Sequence, residues 1–64
     1  MREIKRIDNF TNEINQIWKD NFPDWRFGQL IVNFMSWYGT DIFYLEEDKF
    51  LEIFNQFVKE IKNL

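Results

Sequence analysis

Apolar and polar positions alternate along this chain with a helical period over most of its length. Between Arg2 and Asp20, Ile4, Ile7, Phe10, Ile14, Ile17 and Trp18 recur at steps of three or four. Asn9, Asn12, Glu13, Gln16, Lys19 and Asp20 take the opposite side, so the spacing predicts an amphipathic helix over 2–20. Near the other end, Phe50, Phe54, Phe57, Ile61 and Leu64 follow at steps of four and three, joined by Leu51, Ile53 and Val58. That stripe predicts a helix over 46–62, opened by Glu46, Glu47 and Asp48, whose charge suits the N-terminal end of the helix dipole.

The stretch between them is the most apolar. At 100° per residue, Phe27, Leu30, Ile31, Phe34 and Tyr38 fall on one side, flanked by Met35 and Trp37 and widened by Trp25 and Val32. Only a narrow stripe of Arg26, Gln29, Asn33 and Ser36 is polar. A helix so poor in charge is expected to be wrapped by other helices. Pro23 fits a first helical turn and Asp24 a cap, placing this helix over 24–38 with Gly39 as its left-handed stop. The short connector predicts that the first two helices are antiparallel neighbours. Gly28 costs about 1 kcal/mol inside a helix, relative to alanine, and its expected reason is close approach of another backbone, the alternative being a helix that begins later than 24. Residues 40–45 are β-prone but too short and isolated for a sheet. They read as a connector whose Ile42, Phe43 and Tyr44 plug the bottom of the bundle. The fold class is therefore all-α: one compact three-helix domain over 1–64 with an aromatic-rich core.

A chain of 64 residues buries only about 60% of its unfolded surface, so it needs reinforcement. Without cysteine or histidine it has neither disulfides nor the usual zinc ligands. Its remaining means are large side chains and self-association. Eight phenylalanines, three tryptophans and two tyrosines supply the first, each able to bury about 150–250 Å². One protomer can hardly cover them all. Trp25, Trp37, Tyr38, Phe43 and Tyr44 bracket the central helix as core or as contact surface, since tryptophan, tyrosine and arginine dominate binding energy at interfaces.

The same counts narrow the chemistry. Histidine and cysteine are the commonest general base and the most reactive nucleophile, and Ser36 is the single serine, with no base near it in sequence. No enzyme is expected, and no cofactor or metal. Asp41, Glu46, Glu47 and Asp48 could in principle hold a hard cation, but their spacing fits no EF-hand loop and a helix start accounts for them. A net charge of −3 offers nucleic acid no broad attraction. A helix-turn-helix reading of Arg26, Gln29 and Asn33 therefore ranks last. Arg2, Lys5 and Arg6 form either a solvated basic turn or a small patch for an acidic partner. No apolar run approaches the ~20 residues of a membrane span, and no signal-peptide pattern follows the basic start; a cytoplasmic protein is expected.

Two blocks, PDWRFGQLIVN at Pro23–Asn33 and DIFYLEEDKFLEIF at Asp41–Phe54, together resemble a group of small uncharacterised bacterial and phage proteins. That group shares a Pro-Asp-x-Arg-Phe-Gly-Gln-Leu core and an Asp-x-Phe-Tyr-x-Glu-Asp block before a final helix. Here the second block carries one more acid. The resemblance brings no activity with it and implies a phage or mobile-element setting. The function expected is a small protein-binding module, a modulator or inhibitor of a host protein; the alternative is a homodimeric structural or regulatory protein. The expected contact surface is the polar stripe Arg26, Gln29, Asn33 and Ser36 with Trp25, Trp37 and Tyr38 beside it, covered by a second chain in a two-fold homodimer or by a host protein.

Overall fold

The periodicity is realised as three helices, and among the described residues there is no strand. A computed structural model describes residues 2–63; Leu64, the last position of the predicted stripe, lies outside them. α1 spans Lys5–Asn21, α2 Phe27–Tyr38 and α3 Glu47–Lys62. The all-α, three-helix fold is thus as the sequence predicts, with an aromatic cluster at its centre.

The hub is α3, not α2. Both other helices pack on α3, and among the described residues no close backbone approach joins α1 to α2. Arg6 meets Glu47, Phe10 meets Phe50 and Phe22 meets Phe57, so contacts advance together along α1 and α3 and the two helices run in the same direction. The expected packing of α1 and α2 as neighbours is corrected, since both lie on α3 instead. The connector explains it: Pro23, Asp24 and Trp25 form a turn outside any helix, with Trp25 N–H donating to the Phe22 carbonyl at 3.0 Å. The Trp18 indole Nε1–H donates to the Trp25 carbonyl at 3.0 Å, and the Phe22 and Trp25 rings stack at 4.2 Å. These contacts hold the chain in a turn where proline alone would have allowed a helix start at 24, and they redirect α2 away from α1.

Six residues form the buried core: Phe22, Leu30, Phe34, Ile53, Phe54 and Phe57. Phe34 is its pivot, with ring centroids 4.9, 5.0 and 5.5 Å from Phe50, Phe54 and Phe57. Those three phenylalanines span about two turns of α3, so α2 meets α3 chiefly through one residue. The Trp37 indole adds a hydrogen bond to Glu60 Oε1 at 3.3 Å. α1 contributes no fully buried residue; Ile14, Ile17 and Trp18 only lean on the core.

Helix ends follow local chemistry. Gly39 has φ +82° and closes α2 with its N–H on the Met35 carbonyl at 2.9 Å, the left-handed stop expected of it. At the start of α2 the guanidinium of Arg26 has no acceptor to offer. Gln29 acts instead, its Oε1 accepting the Arg26 backbone N–H at 2.8 Å, the returning half of a capping box. Gly28 is the second residue of α2, and a Cβ built on it would meet nothing within 4 Å. The close approach expected there does not occur within this chain.

Candidate functional site

Of Ile42, Phe43 and Tyr44, expected to plug the bundle, only Ile42 does so. Ile42 and Leu45 turn inward against the core, and Leu45 N–H closes a turn on the Ile42 carbonyl at 3.1 Å. Phe43 and Tyr44 occupy its tip, 77% and 85% exposed. Asp41 braces the turn by accepting the Phe43 N–H on Oδ1 at 2.9 Å, an Asx-type bond that fixes the backbone locally. The two rings meet edge to face at 4.8 Å and touch no other ring among the described contacts. Apolar character alone predicted burial. What reverses it is the two-residue alternation of the turn, which sends Ile42 and Leu45 in and the two residues between them out.

A second apolar surface lies along α1 and α2. Because those helices diverge, a cleft of about 300 Å³ opens between them, lined by Phe10, Thr11, Ile14, Asn15, Trp18 and Phe27. No charged side chain lines it. Its closest cross-contact is Trp18 with Phe27, ring centroids 5.8 Å apart. On α2 the surface continues: Phe27, Ile31 and Met35 advance by about 40° per step, and Val32 stands beyond them. Phe27, Val32 and Met35 are exposed, Val32 at 61%. The most apolar helix of the chain therefore spends much of its apolar arc on open surface, where the sequence suggested full enclosure.

The stripe singled out in the sequence is also on the surface. Arg26, Gln29, Asn33 and Ser36 are all exposed and fill the arc of α2 between Val32 and Trp37, with Gln29 and Ser36 next to Val32. Their flanking aromatics are placed differently. Trp37 and Tyr38 are half-buried against Phe34, and Trp25 is half-buried against Phe22. Arg26, Gln29, Asn33 and Ser36 thus form a rim, while the aromatics beside them serve first as packing. The sequence did not single out Phe27, Val32 and Met35 as surface; the signal was there in the width of the apolar arc, which exceeds what one packing partner covers.

Charged groups are engaged locally. Arg6 Nε lies 3.1 Å from Glu47 Oε1, buried yet without hydrogen-bond alignment to any partner, and Arg2 pairs with Glu46. The basic start of the chain thereby faces the acidic start of α3. Asp48 Oδ1 accepts the Lys49 N–H at 2.8 Å. Among the described residues no group of acids converges as a metal site, and no helix is long and apolar enough to cross a membrane.

Fold and surface together define a small all-α module with two apolar surfaces. Comparison with protein-family models, curated proteins and solved structures gives no significant match.

Proposed function

We propose that the chain is a small protein-binding module that engages another protein through the turn at Phe43 and Tyr44. The observation that supports this reading most is the exposure of two adjacent aromatic rings on a braced turn. Leaving them in water forgoes roughly 1.5–3 kcal/mol for a ring the size of phenylalanine, which a partner recovers on contact. Aromatic anchors of this kind dominate binding energy when they enter a partner's pocket, and the Asp41 brace lowers the ordering cost of doing so. The resemblance to small bacterial and phage proteins extends the reading to a modulator or inhibitor of a host protein, working in the cytoplasm without cofactor or catalysis.

The test is site-specific photocrosslinking in cells that express the chain. A photoreactive residue in place of Tyr44 is expected to capture one protein repeatedly, and the same residue in place of Gln56, exposed on α3, is not. Equal or absent capture at the two positions contradicts the reading.

A further inference from the structure

The cleft between α1 and α2 is a separate surface from the aromatic turn, and it calls for a different occupant. We propose that a second copy of this chain covers it, in a two-fold dimer centred on Phe27. The inference does not depend on the binding role of Phe43 and Tyr44.

Area is the first argument. A monomeric protein of 8.0 kDa exposes about 4,450 Å² when folded, whereas this chain exposes 5119 Å². The surplus, roughly 650 Å², approaches the ~800 Å² per partner of a standard stable interface. Shape agrees. The molecule measures 40 × 25 × 19 Å, and its shortest dimension is less than two helix diameters of about 10–12 Å. It is a slab two helices thick, with one broad apolar side. Pairing two slabs through that side gives each α2 the second layer of helices it lacks.

Charge argues for self-pairing over a foreign partner. In a two-fold contact each residue near the axis faces its own image, so a charge there repels itself. The cleft has none: its polar members are Thr11, whose hydroxyl donates to the Ile7 carbonyl and keeps a free acceptor, and Asn15, whose amide can both donate and accept and so pair with its image. On α2 the apolar arc from Phe27 to Val32 ends at Gln29 and Ser36, neutral polar groups of the kind that border an interface. Two chains of net charge −3 can meet at the cleft because no acid lines it. Gly28 supports the same geometry. It stands on the open side of α2 with nothing of its own chain within 4 Å, where alanine would favour the helix, and its lack of a side chain lets a neighbouring helix approach.

The test is the mass in solution by sedimentation equilibrium, at several concentrations. The parent is expected to reach twice the protomer mass of 8.0 kDa. Phe27→Asp is expected to weaken association about thirtyfold or more, as for a central interface anchor. Aspartate at the first position of α2 suits the helix dipole, so circular dichroism should show the helices retained. Met35→Lys, in the last turn of the same helix where a cation is favoured, is a second variant with the same expected loss, and Gln56→Lys on α3 is expected to leave the mass doubled. A parent that stays at one protomer mass up to millimolar concentration overturns the proposal, whatever Tyr44 captures in cells. So does a doubled mass that survives both Phe27→Asp and Met35→Lys.

Discussion

Truncating Phe34 to alanine removes the most connected of the side chains through which α2 holds α3, leaving Leu30 in the core and Trp37 on Phe57 and Glu60. Phe34 is fully buried, and its ring touches Phe50, Phe54 and Phe57 on α3 while stacking on Trp37 and Tyr38 of its own helix. Deleting a buried phenylalanine costs about 3–5 kcal/mol in lost transfer energy and residual cavity. Two of the pairs lost are edge-to-face, at interplanar angles of 71°, and aromatic pairs add about 0.5–1.5 kcal/mol beyond their area. The upper part of the range is therefore expected. Total stability for a chain of this length is only about 3–10 kcal/mol. With an unfolding entropy near 2.1 cal/mol/K per residue, each kcal/mol moves Tm by about 7 °C, so the variant should melt about 28–35 °C below the parent or be unfolded at room temperature. The assay is a far-ultraviolet circular dichroism melt at one fixed protein concentration, since association raises Tm by mass action. A Tm within 5 °C of the parent would show that α2 is held by something other than Phe34, and the packing argument would fail.

The two glycines should respond in opposite directions. Gly28→Ala, with open space around the new Cβ, should stabilise the dilute protein by about 0.5–1 kcal/mol, whereas Gly39→Ala at φ +82° should destabilise it by about 1 kcal/mol; paired chemical melts below the association range check both. Gln29→Ala removes the acceptor for the Arg26 N–H and should cost about 1 kcal/mol, while Gln29→Glu restores the acceptor and should melt at or above the parent temperature. A double-mutant cycle on Arg6 and Glu47, which are about one-third exposed, should give a coupling of no more than about 1 kcal/mol, shrinking as salt is added. Coupling that is unchanged at high salt would mean the pair is more enclosed than its geometry indicates.

The three helices were legible because each has a local cause. The four- and three-residue steps from Phe50 to Ile61 require one face of a helix, and Gly39 is where a left-handed stop belongs. The buried positions at Phe34 and Phe54 were legible too, each at the centre of its stripe. What periodicity does not carry is which stripe is covered by what. The apolar arc of α2 is the widest in the chain, so the sequence pointed to it as the hub, yet Phe27, Val32 and Met35 lie in the open and α3 is the element the others share. Helix adjacency was misread for a related reason: the connector is short, but Trp18, Phe22 and Trp25 lock it into a turn through contacts between residues seven or fewer apart that no helical pattern encodes. Phe43 and Tyr44 were read as a plug of the bundle and, with the other aromatics beside the central helix, as either core or contact surface; which of these holds depends on the phase of a four-residue turn. The rim residues Arg26, Gln29, Asn33 and Ser36 were recognisable as surface by their polarity. Nothing in that polarity signalled that Gln29 also caps its own helix.

The most direct measurement of whether the broad α1–α2 face is covered is the accessibility of its methyl groups in solution. Val32 and Met35 are exposed in the single chain, at 61% and 41%, and each gives resolved methyl resonances when selectively labelled. A soluble paramagnetic agent should broaden them strongly in dilute protein and weakly in concentrated protein, as a second copy closes over them, while the tip residues Phe43 and Tyr44 stay broadened throughout. Equal broadening of Val32 and Met35 at every concentration would contradict the dimer and leave that face as open surface.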